Sequence, residues 1–159
     1  MRKAIFYFSK WGATKQYADW IAEAVPGTDV IDAINGKPDP SPYGAIIIAT
    51  RAYMGRIAAA SYLARNRETL KSKKVYLLVV GMSPQDADDS KMQYNSIPVE
   101  IRNALQGYAK VPGAIDLDKL GFIVKKMFKM FSKGAPKSEN QAAKEHIAPV
   151  IEWLKKIIN

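Results

Sequence analysis

The 159-residue sequence contains no cysteine, which excludes disulfides, thiolate metal sites and a thiol nucleophile and fits a reducing, cytoplasmic setting. Histidine occurs once, at His146. Neither a histidine-rich metal centre nor a Ser-His-Asp mechanism is therefore expected, and His146 is assigned to an ordinary helix surface. Redox chemistry, if the chain performs any, has to be borrowed from a bound cofactor. No apolar run approaches the roughly 18 residues that suggest a membrane span. The opening residues are basic and then apolar, but the apolar part is too short for a signal-peptide core, and a first strand is expected there. Acidic residues are scarce beside basic ones: 15 Asp and Glu against 24 Lys and Arg leave a formal charge of +9. That excess favours an anionic partner or surface. Nucleic acid is not the expected one, since zinc-finger spacing, a basic zipper and an aromatic RNA-binding strand motif are all missing. The 48% hydrophobic and 25% charged content, with this length, fits a single globular domain over residues 1–159.

What the chain does have is a regular alternation of apolar runs and amphipathic stretches, the pattern of βαβ units around a parallel sheet. Residues 3–8 form the first strand candidate. Residues 14–25 place Thr14, Tyr17, Ala18, Ile21, Ala22 and Val25 at helical spacing before Pro26 and Gly27 stop them. Residues 29–32 make a brief second strand, and residues 35–42 hold too many turn formers for a helix. Residues 44–50 and 74–81 are nearly continuous apolar runs, as in central parallel strands buried on both faces. Between them, residues 57–67 have good helix propensity. A further helix is expected over residues 95–105 with Pro98 near its first turn, and a fifth strand over residues 108–115, weakened by Pro112 and Gly113 and so at or near an edge. Ser138, Glu139, Asn140 and Gln141 resemble a capping box ahead of a C-terminal helix whose apolar face is Ile147, Val150, Ile151, Leu154 and Ile158. Pro149 either kinks that helix or restarts it.

In an open parallel sheet, ligands bind beyond the carboxyl ends of the strands where the strand order reverses. The loops after the first, third and fourth strands are therefore the candidate site. The first, Ser9-Lys10-Trp11-Gly12-Ala13-Thr14, joins a strand directly to a helix and carries hydroxyls at both ends with a glycine inside. Backbone N–H groups at that helix start, with the Ser9 and Thr14 hydroxyls, suit a phosphate, helped by the helix dipole and by Lys10 and Lys15. A plain strand-to-helix turn, in which Gly12 supplies an unusual backbone angle and Thr14 a cap, fits the same residues equally well. Neither G-x-x-x-x-G-K-[ST] nor G-x-G-x-x-G is present, so ATP and NAD are disfavoured.

At these residues the sequence resembles the flavodoxins, whose phosphate loop of the form [ST]-x-[TYx]-G-x-T follows the first strand. The likeness continues through residues 15–22, through Ala52, Tyr53, Met54, Gly55 and Arg56, and through residues 113–120. There it is similar to the flavodoxin-domain group that contains quinone-dependent protoporphyrinogen IX dehydrogenase. The resemblance implies an α/β fold, a flavodoxin-like doubly wound five-stranded parallel sheet of order 2-1-3-4-5 with helices on both faces, and FMN as cofactor. It implies that Ser9, Lys10, Trp11, Gly12, Ala13 and Thr14 hold the FMN phosphate. It places Ala52, Tyr53, Met54 and Gly55 against the isoalloxazine ring, with Tyr53 able to stack and Gly55 admitting close approach. Gly81, Met82 and Ser83 are placed there from the later loop. Two departures stand out: Trp11 replaces the small hydroxyl residue of many flavodoxins, and the second loop lacks their usual Trp.

The function implied is that of an FMN-dependent oxidoreductase or electron-transfer flavoprotein, in which the flavin does the chemistry and no side chain need serve as acid or base. The alternatives are a protoporphyrinogen IX dehydrogenase (quinone)-like enzyme, or a flavin-less interaction module on the same fold. A response-regulator receiver is excluded, because Phe8-Ser9 and Ala49-Thr50 stand where it needs its acidic residues. Small electron-carrier flavodoxins are typically acidic, whereas this chain is basic. Residues 119–133 hold no acidic residue, and at 100° per residue Lys119, Lys125, Lys126, Lys129 and Lys133 share one face. Leu120, Ile123, Val124, Met127, Phe128, Met130 and Phe131 share the other, and Phe122 alone falls among the lysines. That pattern suits a helix on an anionic membrane surface, an acidic protein partner, a quinone- or porphyrin-binding flap, or a plain core cover. Cytoplasmic localisation is expected, with attachment to the inner face of the membrane in the first of these cases.

Overall fold

Strands buried on both faces must be apolar at successive positions, because neighbouring side chains point into different layers. The computed structural model describes residues 1–9, 12–115, 126 and 139–158. It contains β1 (Lys3–Phe8), β2 (Thr28–Asp32), β3 (Ala45–Tyr53), β4 (Arg56–Ile57), β5 (Lys74–Val80) and β6 (Leu105–Val111). Five of these run parallel in the order β2-β1-β3-β5-β6, and β4 folds back antiparallel on the end of β3. Without that short arm the order is the 2-1-3-4-5 expected. Phe6, Ile46, Ile48, Leu77 and Val79 enter one core layer, while Ile5, Ile47 and Leu78, their neighbours in the same strands, enter the other.

Helices cover both layers: α1 (Ala13–Ala24), α2 (Ala33–Gly36), α3 (Ala60–Arg65), α4 (Arg67–Leu70), α5 (Asp88–Asn95), α6 (Val99–Ala104) and α7 (Ala148–Lys156). Tyr17, Ala18 and Ile21 of α1 pack with Val150 and Leu154 of α7 on one face. Leu63, Leu70 and Ile101, from α3, α4 and α6, pack on the other. Among the described residues no helix is long and apolar enough to cross a membrane.

Several expectations change. The turn-rich stretch after β2 does hold a helix, one turn long, because the Asp32 carboxylate accepts from the N–H groups of Ile34 at 3.0 Å and Asn35 at 3.2 Å. These bonds, led by one from the Asn35 side chain, hold the Asp32 carboxyl below its ordinary pKa. Ile57 lies in β4, so the helical stretch expected to begin there starts later and is broken at Asn66. The helix expected over residues 95–105 is the shorter α6, with Pro98 as its cap residue, and a helix that was not expected, α5, ends at Asn95 ahead of it. The fifth strand, β6, starts earlier than expected and ends before Pro112.

Beyond that break, β7 (Ala114–Ile115) pairs antiparallel with β8 (Glu139–Asn140). The capping-box pattern is therefore not a cap: two of its residues are strand, and Ser138 lies outside the described residues. A 3-10 turn at Lys144–Ile147 precedes α7, and Pro149 occupies the first turn of α7, where a proline restarts a helix without kinking it. Of the lysine-rich stretch only Lys126 is described, and it is exposed; Lys119, Lys125, Lys129 and Lys133 lie outside the described residues.

Tyr17 ties α1 to this returning C-terminal segment. Its side chain is fully buried, and its hydroxyl donates to the Pro112 carbonyl at 2.8 Å. With that proton committed, the oxygen is left to accept from Ala143 N–H at 3.4 Å and from His146 Nδ1 at 3.1 Å. His146 is thus a half-buried packing partner, not the free surface residue expected. Burial pushes the Tyr17 hydroxyl above its ordinary pKa. Tyr17→Phe removes the partner of three polar groups and is expected to cost about 1–3 kcal/mol. Urea unfolding will measure it, with Tm falling by roughly 2–4 °C per kcal/mol for a domain of this size. An unchanged midpoint would contradict the structural weight given to this junction.

Candidate functional site

Register decides which loops meet. Phe8, the last residue of β1, pairs with Thr50 of β3, and Arg51 of β3 pairs with Val80, the last residue of β5. The segments starting at Ser9, Ala52 and Gly81 therefore leave three adjacent strands at one edge of the sheet. This edge includes the point between β1 and β3 where the strand order reverses, where ligands of such sheets bind.

In the first loop, Ser9 Oγ accepts a 3.1 Å bond from Gly12 N–H. Gly12 has φ of 94° and forms the cap of α1 without any side-chain acceptor. A Cβ there would meet nothing within 4 Å, so it is the backbone angle and not crowding that calls for glycine. The first turn of α1 holds no acidic residue, and the helix opens with N–H groups that have no partner within the helix. Thr14 is only 1% exposed, and Ala13 is half-buried beside it. Lys15, read from sequence as charge for this loop, instead pairs with Asp19 at 2.6 Å, and that bond raises its pKa. Lys10 and Trp11 lie outside the described residues.

The second loop is a hairpin. Tyr53 pairs with Arg56 around a two-residue turn at Met54 and Gly55, whose φ values are 47° and 72°. Positive φ at both positions is what a twist-matched two-residue hairpin requires. Gly55 adopts it freely, whereas Met54 does so at a cost of roughly 1–2 kcal/mol. The side chain of Tyr53 lies outside the described residues. The fold-back is fastened by Ala58 N–H to the Arg51 carbonyl and by Ala59 N–H to Thr50 Oγ1, both at 3.0 Å.

In the third loop Gly81 N–H donates to the Val111 carbonyl at 3.0 Å, Met82 is exposed, and Ser83 Oγ donates to Asp89 at 2.7 Å. A Cβ on Gly81 would lie 3.2 Å from both Ala52 Cβ and Lys110 Cε. The second and third loops thus touch through a glycine. Met92 of α5 reaches the hairpin as well, its methyl 3.0 Å from where a Gly55 Cβ would stand.

Sequence reading missed what lies behind this loop. Lys110 of β6 donates to Ser90 Oγ and to Gln93 Oε1, both at 2.8 Å, and Ser90 Oγ donates to the Pro84 carbonyl at 2.7 Å. Ser90 and Gln93 are each 1% exposed. Burial pushes the Lys110 ammonium below the ordinary lysine pKa, with the Asp89 charge acting the other way. Beside this cluster, Gln85, Ser90, Lys91, Tyr94, Asn95 and Tyr108 line an open cleft of about 410 Å³. Tyr94 and Tyr108 meet there edge to face at 4.9 Å. The signal was hidden because α5 buries polar residues, so hydrophobic periodicity gives no helix there. Among the described residues no group of His, Asp and Glu is placed to hold a metal ion.

The hairpin's dependence on Thr50 is open to measurement. Thr50→Val keeps shape but strips a buried N–H of its acceptor. It is expected to cost about 1–3 kcal/mol in urea unfolding, and a loss within error of zero would show that β4 folds back without it.

Residues 4–141 match the family model described as Flavodoxin domain. No curated protein matches the sequence. Among solved structures, a Fusobacterium nucleatum flavodoxin bound to flavin mononucleotide is similar at a TM-score of 0.53 and 14% identity, covering 98% of this chain and 95% of that one. The Trp repressor binding protein of Bacillus subtilis gives a TM-score of 0.49 at 14% identity over 69% of this chain and 83% of its own. The family match spans most of the sequence and agrees with the strand order: the chain belongs to the flavodoxin domain family.

Proposed function

We propose that this protein binds FMN non-covalently at the β1, β3 and β5 edge and acts as a flavin-dependent oxidoreductase or electron carrier. The observation that carries the reading is the uncapped, acid-free start of α1 lying at the same sheet edge as two glycine turns. The residues present fit the group. First-turn N–H groups of α1 and its dipole suit a phosphate, and Ser9 Oγ fixes Gly12 so that the turn stays open. The Ser9 and Thr14 hydroxyls, with Ala13, complete the phosphate side, and Lys10 and Trp11 are proposed to belong to it. Ala52, Met54, Gly55, Gly81, Met82 and Ser83 are the residues proposed to hold the ring, together with Tyr53. The glycines leave bare backbone for a flat ring to approach. Met54, Met82 and Met92 are 65%, 40% and 61% exposed, and their thioethers supply an adaptable apolar cover that limits water at the ring. The Fusobacterium nucleatum relative with bound flavin mononucleotide supports the choice of cofactor. FMN when bound supplies the electron transfer; the chain orients it and shields it.

The strain at Met54 supports the same reading, because a bulky residue held at positive φ on an exposed turn persists where the surroundings use it. Ser9→Ala combined with Thr14→Ala is expected to weaken FMN at least tenfold, as loss of hydrogen bonds to a charged group does. Riboflavin, which lacks the phosphate, should change by less than about twofold. Flavin-fluorescence titrations with both ligands decide it, and equal losses for the two would refute the phosphate assignment.

A further inference from the structure

A lysine pointing into a layer that also buries Ser90 and Gln93 is unusual, since burying a charge is costly unless its hydrogen bonds are met. Lys110 meets two of them with neutral acceptors, Ser90 Oγ and Gln93 Oε1 at 2.8 Å each. Among the described residues no carboxylate comes within salt-bridge distance of it, and the Asp89 carboxylate is engaged with Ser83. The positive charge is therefore solvated directly by dipoles, with Asp89 acting on it only from beyond salt-bridge distance. Its stem lies against the Gly81 turn, with Cε 3.2 Å from the place of a Gly81 Cβ. Ser90 passes the contact on to the same loop through the Pro84 carbonyl.

We propose that Lys110 is a positioning residue for the reduced state of the cofactor: through Ser90 it holds the third loop, and its half-buried charge, held by neutral acceptors, makes the protein bind anionic, reduced FMN more tightly than its removal would allow. The proposal rests on the FMN reading above. Reduction adds negative charge to the ring, so a fixed positive charge of low local screening lowers the free energy of the reduced complex more than that of the oxidised one. The net charge of +9 works in the same direction, but exposed lysines are screened by salt, whereas a half-buried one is screened less.

The experiment measures FMN affinity and the two-electron midpoint potential of wild type, Lys110→Met and Lys156→Met. The last variant makes the same charge change at an exposed position on α7. In Lys110→Met the ratio of Kd for reduced over oxidised FMN is expected to rise about tenfold, which is a midpoint about 30 mV more negative for a two-electron couple. In Lys156→Met the ratio stays within about twofold of wild type. A weaker oxidised complex with an unchanged ratio would reduce Lys110 to a structural role and overturn the proposal. So would an equal shift in both variants. If Lys110→Met does not fold, Lys110→Gln, which keeps hydrogen-bonding groups without the charge, carries the same expectation and the same refutation. Failure of the wild type to bind any FMN would overturn the FMN reading itself, and is distinct from binding with an insensitive potential.

Discussion

The parallel pairing of β1, β3 and β5 is the constraint on which the site depends, because it alone brings three chain segments far apart in sequence to one edge. A slip of one residue would send Ile5, Ile47 and Leu78 into the layer that Phe6, Ile48 and Leu77 occupy. Each of these side chains contributes roughly 1.5–3 kcal/mol when buried, so the register is held by several at once. Phe8 opposite Thr50 and Arg51 opposite Val80 follow from it, and with them the exit of the loops that carry Gly12, Gly55 and Gly81 at one edge.

On that frame the edge is built mainly of backbone. Gly12 and Gly55 are there for angles that side chains resist, and Gly81 for the space between Ala52 and Lys110. Side chains support these turns from behind: Ser9 fastens Gly12, Thr50 fastens the hairpin, and Lys110 with Ser90 fastens the loop after β5. Such an edge is suited to a flat ligand with a charged tail that brings its own chemistry. The Tyr17 junction with Pro112, Ala143 and His146 then closes the opposite layer by holding the C-terminal segment against α1.

The strands were legible because burial on both faces leaves long apolar runs, and α1 because its apolar residues recur at helical spacing. Strand order came from the likeness at Ser9 to Thr14 and not from any pattern of hydrophobicity. The hairpin at Met54 and Gly55 was hidden, since two residues of β4 carry no periodicity and Met is an unusual occupant of a positive-φ turn. Helix α5 was hidden by its buried Ser90 and Gln93, whose reason for being inside is Lys110, a residue 17 positions from Gln93 in sequence. The capping pattern near Ser138 misled because Glu139 and Asn140 find strand partners in Ala114 and Ile115, a tertiary pairing that local sequence does not encode.

The account stands on the three segments forming one flavin site. Hydrogen–deuterium exchange, followed by mass spectrometry of the protein with and without saturating FMN, tests that directly. The structure predicts slowed exchange in peptides covering residues 12–16, 51–59 and 81–90 together, with α7 and β2 unchanged. Protection confined to one of these segments, or centred elsewhere on the chain, would contradict it.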